Sequence, residues 1–456
     1  MAATVKKNDH LQVHIVDLTH DGAGVAKVEG YPLFIPGTLP GEKVEVRVVK
    51  TLKKYGYGKL IKIIEPSMDR VKPSCDVFPR CGGCQVQHLS YEGQLKWKQK
   101  LVQETMARIG KLADVPVHPV KGMKDPWCYR NKSQIPFAEE KGKVVAGFFR
   151  PGSHKIVDTD QCLIQTPEAD ALLSGLKQGL QEIGIRPYDE EKDQGMLRHL
   201  IVRKGMNTGE TMVILVTRYR NFPQKKEAVQ WIRKVLPGVD SIVQNVNDRR
   251  TNVILGNETI LLYGSPVIRE RIGNITYEIS PRSFFQINSE QTEVLYNQVL
   301  EYADLTGEET VVDAYCGIGS ISLFLAQEAK EVYGVEIVPE AIADAKRNAQ
   351  RNGITNAQFE VGAAEEVLPR WYQEGKRFDV IVVDPPRKGC DKELLKTIIQ
   401  YPAKRLIYVS CNPATLARDL RILEDGGYKT QEIQPVDLFP QSSPVECVVL
   451  LSWVEE

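Results

Sequence analysis

The stretch from Thr310 to Glu336 constrains the fold more than any other part of the chain. An apolar run, Thr310-Val-Val-Asp-Ala314, meets Tyr315-Cys-Gly-Ile-Gly319; a helical pattern follows from Ser320 to Ala326, and a second apolar run, Glu331-Val-Tyr-Gly-Val-Glu336, ends on a carboxylate. Strand, glycine turn, helix and strand in that order predict a parallel α/β sheet with a ligand crevice beyond the carboxyl ends of its strands. Gly317 and Gly319 let the backbone approach a ligand where a side chain would clash, and a helix N-terminus comes directly after them. Two glycines after a strand more often make only a turn. Glu336 shifts that weight, because an acid nineteen residues after Gly317 suits the two hydroxyls of a ribose. Asp313, at the end of the first strand, is expected to orient the turn.

A dinucleotide and S-adenosylmethionine both fit such a crevice. Position 322 is Ser, so the third glycine that packs a helix under a pyrophosphate is missing. Further on, Phe378-Asp-Val-Ile-Val-Val-Asp-Pro-Pro-Arg-Lys-Gly389 places Asp384 and a rigid Pro-Pro turn beside the crevice. Enzymes that methylate exocyclic amines carry an aromatic residue after these prolines; Arg387 stands there instead, which argues for a carbon target. After the run Arg405-Leu-Ile-Tyr-Val409 comes Ser410-Cys-Asn-Pro413, which presents Cys411 at the end of a buried strand. A thiolate there suits attack on an electrophilic carbon such as C6 of a pyrimidine, against the alternative of a small buried cysteine. Glu446 opens a late apolar strand, Cys447-Val-Val-Leu-Leu451, and is the candidate general base, against a solvated carboxylate at a strand edge.

The formal net charge is zero, yet residues 1–130 hold 21 Lys and Arg against 13 Asp and Glu, while residues 131–456 hold 38 against 46. This polarity, +8 against −8, points to an N-terminal face that meets phosphate and a C-terminal part that does chemistry. Within residues 5–65, alternating runs such as Leu11-Gln-Val-His-Ile-Val16 and Glu42-Lys-Val-Glu-Val-Arg-Val48, separated by glycine turns, predict an OB-like β-barrel. Lys53-Lys-Tyr-Gly-Tyr57 interleaves cations with rings, as single-stranded nucleic acid requires. Residues 66–73 read as a linker. Residues 75–275 read as a central α+β domain, with strands at 144–149, 200–203 and 211–217 and helices at 167–183 and 223–235, and residues 280–456 as the α/β domain. Tyr129 to Lys132 and Gly195 to Leu200 mix aromatic, cationic and amide groups that suit either an RNA loop or ordinary surface.

Cys75, Cys81 and Cys84 form the densest cysteine cluster, with five and two residues between them. Three thiolates need a fourth ligand: Cys162 makes a four-cysteine set of the 4Fe-4S type, and His88 would serve zinc. Cys128 matches no ligand pattern. No apolar leader and no run of roughly 20 apolar residues is present, so a cytoplasmic chain without membrane association or an obligate protein partner is expected.

Five blocks in order, Ser283-Phe-Phe-Gln-Ile-Asn288, the glycine turn, Asp384-Pro-Pro-Arg387, Ser410-Cys-Asn-Pro413 and Pro444-Val-Glu-Cys447, resemble the RNA uracil-5-methyltransferase family. The resemblance implies a TRAM domain at the N-terminus, a Rossmann-like class I methyltransferase domain at the C-terminus, and an iron–sulfur cluster on Cys75, Cys81, Cys84 and Cys162. It assigns S-adenosylmethionine to Gln286, Tyr315, Glu336 and Asp384 with the turn glycines, and makes Cys411 the nucleophile and Glu446 the base. The N-terminal half is similar to the branch that modifies 23S ribosomal RNA in Gram-positive bacteria, so a flipped uridine in a loop of that RNA is the expected substrate. Transfer RNA as substrate, cytosine-5 methylation, and a non-catalytic iron–sulfur RNA-binding protein are the alternatives. A dehydrogenase fits less well.

Overall fold

The computed structural model describes residues 5–454. Five strands, His10–Leu18, Gly24–Val28, Tyr31–Ile35, Lys43–Thr51 and Gly56–Glu65, close into the expected barrel. Alternation decides the inside: Val44, Val46 and Val48 point into the core with Val13, Ile15, Leu33 and Ile35. Gly56 and Gly58 are needed where the last strand crosses it, since a Cβ at either would stand 2.9 Å from Leu33 or Ile35. The expected linker is tied back to the barrel, because the Arg70 guanidinium donates to buried Glu42 and to the Gly37 carbonyl at 2.8 Å.

The middle of the chain forms a seven-stranded mixed sheet in the order Glu258–Gly264, Ser241–Val246, Thr211–Thr217, Leu197–Lys204, Lys132–Glu140, Lys143–Phe149 and Ile156–Asp158. The helices Pro167–Ile183 and Lys225–Val235 cover one face, where Leu172, Leu176 and Ile232 meet Leu200, Val213 and Leu215. The other face, through Ile201, Met212, Ile214 and Val243, packs on the hairpin Ile268–Ile272 and Ile275–Ile279 and on the C-terminal core.

The C-terminal sheet runs Ala357–Val361, Glu331–Glu336, Thr310–Ala314, Val380–Val383, Arg405–Ser410, Glu446–Trp453 and Tyr428–Val436. The first five are parallel, and Glu446–Trp453 is antiparallel to its neighbours. Helices on both faces explain why Val380–Val383 is apolar and buried at every position. The strand order reverses at Thr310–Ala314, from which successive strands lead first to one edge and then to the other, and this is the switch point at which such sheets bind ligands. The helix Tyr91–Thr105, followed by a wider turn at Met106–Gly110, gives Val102 and Met106 to this same core. No helix among the described residues is long and apolar enough to cross a membrane.

Candidate active site

The residues expected to carry chemistry gather on one edge of the C-terminal sheet. Parallel strands deliver the glycine turn, Glu336, Asp384 and Cys411 at their carboxyl ends, and the antiparallel strand delivers Glu446 at its beginning, which is the same edge. Ser410 pairs with Cys447 across the ladder, so Cys411 and Glu446 are the next step outward on adjacent strands.

Tyr315, Gly317 and Gly319 have φ of 69°, 56° and 79°. At Gly317 a Cβ would meet nothing within 4 Å, so the turn opens onto free space, whereas at Gly319 it would stand 3.0 Å from Phe359 and 3.1 Å from Ala345. The second glycine therefore serves close helix packing and the first the ligand side. The Tyr315 hydroxyl accepts the Asp391 N–H at 3.4 Å, which ties its ring to the cap of the helix Lys392–Gln400. Ser322, where a third glycine was missing, donates its hydroxyl to buried Asp313. Burial holds the Asp313 carboxyl up to about 7 despite that bond. Glu336 is half-buried, and its Oε1 accepts the Val338 N–H at 2.9 Å.

Electrostatics couple the other groups. Burial raises the Asp384 carboxyl to about 7. Burial first, then the charge of Asp384, raises Glu446 to about 8, opposed by Arg387. Burial, Glu446 and Asp384 together push the half-buried Cys411 thiol up to about 11, and Arg387 again opposes them. Arg387 is the cation that favours both the thiolate and the carboxylate, a role its place after Pro-Pro did not disclose. Its carbonyl is pinned by Asn412 Nδ2 at 3.1 Å and Thr415 Oγ1 at 3.2 Å.

Gln286 is buried in a segment tied to both domains: Asn131 Nδ2 donates to the Gln286 carbonyl at 2.8 Å, and Asn288 caps the helix Ser289–Ala303 while donating to the Leu438 carbonyl at 3.2 Å. Phe285 enters the core and Phe284 stays exposed, so only one of the aromatic pair is structural. Two readings of the middle region as RNA-gripping surface need correction. Tyr129 and Asn131 are buried, and Tyr129 donates to the Pro440 carbonyl at 2.9 Å. Arg198 is buried too, donating to the carbonyls of Asn247 and Arg249 at 3.2 and 2.7 Å. These polar side chains were taken for surface because their partners lie far off in sequence.

Cys75, Cys81, Cys84 and Cys162 line one cavity of about 170 Å³ together with Arg130 and Phe148. Burial first, then the neighbouring thiols, raises Cys84 to about 11 and Cys162 to about 12, each against an opposing hydrogen bond. The expected metal centre does not stand as a formed site: among the described residues no group of three or more His, Cys, Asp or Glu is arranged to hold a metal ion. His88, the proposed zinc ligand, does not line the cavity; it is buried against Phe78 with ring centroids 5.6 Å apart. Cys128 is exposed.

On the barrel, Phe34, Tyr55 and Tyr57 form a ring cluster with centroids 5.4 to 6.0 Å apart, and the exposed Tyr57 follows the exposed Lys53 and Lys54 in sequence.

Comparison with known proteins decides the family. Residues 91–454 match the model of the tRNA (Uracil-5-)-methyltransferase family, and residues 5–61 match the TRAM domain. The chain belongs to the tRNA (Uracil-5-)-methyltransferase family. It is similar to an uncharacterized RNA methyltransferase of Halalkalibacterium halodurans, 59% identical over 98% of each chain. A second, from Listeria monocytogenes, is 52% identical over 99% of each. Among solved structures, the Pyrococcus abyssi tRNA (uracil-54, C5)-methyltransferase in complex with S-adenosyl-L-homocysteine aligns with a TM-score of 0.79 and 32% identity, over 96% of this chain and 99% of that one. With this membership the chain is a methyltransferase acting on uracil C5 in RNA, and the cytosine, dehydrogenase and non-catalytic readings fall away. Cys390, four residues after Pro386, is buried, and burial first of all pushes its thiol up to about 12.

Proposed function

We propose that this protein methylates C5 of specific uridines in 23S ribosomal RNA, with Cys411 as nucleophile and Glu446 as general base. The observation that carries the catalytic assignment is the placement of a thiol and a carboxyl on adjacent strands of one edge, beside Asp384 and Arg387. Uracil C5 is too weak a nucleophile to accept a methyl group unaided. Cys411 adds to C6 as the thiolate, the C5=C6 electron pair moves to C5 as an enolate, and Arg387 stabilises the negative charge before and during that step. When bound, S-adenosylmethionine would supply the electrophilic methyl group, its sulfonium S–CH3 bond breaking as the bond to C5 forms and S-adenosylhomocysteine leaving as the neutral thioether. Glu446 then takes the remaining C5 proton, the C5=C6 bond re-forms, and the C6–S bond breaks to return Cys411. A carboxyl held near 8 suits that task, being close to the ambient pH on either side of the transfer.

For the cofactor, the opening at Gly317 and the half-buried Glu336 offer a backbone shelf and a ribose acceptor, Tyr315, Asp384 and Gln286 complete the set, and Gly319 serves it through the close packing that shapes the turn. The target base must leave its stack to reach Cys411, so a loop or flipped uridine is required. The barrel's ring cluster and lysines, and the basic excess of residues 1–130, support contact with a folded single-stranded region in the cytoplasm. The four thiols that line one cavity, Cys75, Cys81, Cys84 and Cys162, are the number and type of ligand that a 4Fe-4S cluster takes, and His88, the alternative zinc ligand, lies outside that cavity. Such a cluster takes no part in the methyl transfer; visible absorbance with iron and sulfide assay of anaerobically prepared protein tests it.

Transfer RNA is the second reading, favoured by the Pyrococcus abyssi enzyme that aligns over nearly the whole chain. Incubation with S-adenosylmethionine and unmodified 23S ribosomal RNA or transfer RNA, followed by nucleoside mass spectrometry and site mapping, separates them. 5-Methyluridine in ribosomal RNA supports the proposal, and 5-methyluridine in transfer RNA alone replaces it with the second reading.

A further inference from the structure

The connection between Tyr428–Val436 and Glu446–Trp453 delivers the proposed base, yet it is anchored by residues more than three hundred positions earlier. Gln441 sits in it with φ of 69°, a left-handed conformation that a glutamine keeps only when the surroundings compensate. The compensation is a set of bonds from one segment and one helix. Gln94, on the helix Tyr91–Thr105, uses both ends of its amide: Nε2 donates to Gln441 Oε1 and Oε1 accepts the Gln441 N–H, each at 3.0 Å. The Gln441 carbonyl accepts the N–H groups of Gln85 and Val86 at 3.2 Å each. Gln85 Oε1 accepts the Ser443 N–H at 3.2 Å, while Gln85 Nε2 donates to the Gly82 carbonyl at 2.8 Å. Gln94 and Gln441 are both buried, and only Pro444 and Val445 separate Ser443 from Glu446.

We propose that Gln85, Gln94 and Gln441 are positioning residues for Glu446, carrying the seating of the Gly82–Val86 segment to the carboxyl that removes the C5 proton. This rests on the reading of Glu446 as that base. The strand that ends before Cys411 pairs with the base's strand on one side but with Val380–Val383 on the other, and the helix Pro413–Asp425 follows it; among the described residues none of these last receives a bond from Gln85, Gln94 or Gln441, so loosening the connection displaces the base more than the nucleophile. Addition and methyl transfer then proceed, and the step that stalls is the last one, in which the C5–H bond breaks toward Glu446, its electron pair forms C5=C6 and the C6–S bond breaks. A stalled elimination leaves methylated RNA bonded to Cys411. A loss of general stability would not produce that species.

The test uses the full-length protein, S-adenosylmethionine labelled in its methyl group, and whichever of 23S ribosomal RNA and transfer RNA the wild type methylates. Gln94→Leu is expected to lower turnover about tenfold, as loss of hydrogen bonds to a positioned group does. It is expected to raise the label in a denaturation-resistant protein–RNA band by a similar factor and to leave the cofactor Kd unchanged. Gln94→Glu keeps an acceptor for the Gln441 N–H and should fall between it and wild type. Gln441→Ala keeps the backbone bonds and serves as the deciding variant if Gln94→Leu does not fold. Glu446→Gln is run beside them. A labelled band in Glu446→Gln but in neither Gln94→Leu nor Gln441→Ala overturns the positioning role alone. Its absence in Glu446→Gln overturns the assignment of the base on which the role depends.

Discussion

Asp437 and Glu446 stand at the two ends of one connection, both buried, and the chain treats them in opposite ways. Asp437 is saturated: Lys98 Nζ donates to it at 2.6 Å, with Lys98 itself fully buried, Tyr91 donates its hydroxyl at 3.0 Å, and the Phe439 N–H adds 3.2 Å. Glu446 faces Asp384 and Arg387 without an ion pair among the described residues, and burial lifts it to about 8. A carboxyl given every partner can anchor a loop; one denied them moves its pKa toward neutrality and can exchange a proton. The difference separates anchoring from proton transfer within ten residues.

Removing the unpaired carboxyl should have the largest effect. Glu446→Gln is expected to slow product formation by about 10²–10⁴, the range for loss of general-base catalysis, while its thermal midpoint stays at or above that of wild type. A steady-state assay beside a melting curve checks both parts. The paired carboxyl predicts the reverse. Lys98→Met strands a buried charge and is expected to lose about 3–5 kcal/mol in denaturant unfolding, and replacing both partners by apolar residues should restore much of it. If Lys98→Met were as stable as wild type, Asp437 would not be the anchor described.

The same contrast predicts pH behaviour. Because the folded-state pKa of Glu446 is raised above its unfolded value, its contribution to stability is fully present below about 4.3 and is lost as pH rises through about 8. Wild-type stability should therefore fall across that interval and Glu446→Gln should be flatter, in urea titrations at several pH values. The elimination needs the deprotonated form, so its rate should climb over the upper part of the same range. The smallest effect is expected at Arg387. Arg387→Gln removes the charge that opposes the raised values of both Glu446 and Cys411, and should move the activity profile to higher pH.

What the sequence disclosed and what it withheld follow from the range of the interactions. The barrel, the glycine turn and the strand ends bearing Glu336, Asp384 and Cys411 were legible because alternation, glycine and apolar runs are local signals. The side of the sheet on which Glu446 falls was legible only through family resemblance, since a strand's direction within a sheet leaves no mark on its own residues. Helix Tyr91–Thr105 was missed as part of the C-terminal core, its polar Gln94 and Lys98 disguising a buried face whose partners are Gln441 and Asp437. Tyr129, Asn131 and Arg198 were misjudged for the same reason. Ser322 was read as a missing glycine and is instead the donor to one carboxyl oxygen of Asp313.

The most direct measurement is peptide mapping by tandem mass spectrometry of Glu446→Gln after incubation with S-adenosylmethionine and substrate RNA, followed by nuclease and protease digestion. The mechanism predicts a methylated uridine bonded to Cys411. An unmodified Cys411 peptide, or a nucleotide carried by Cys390, would contradict it.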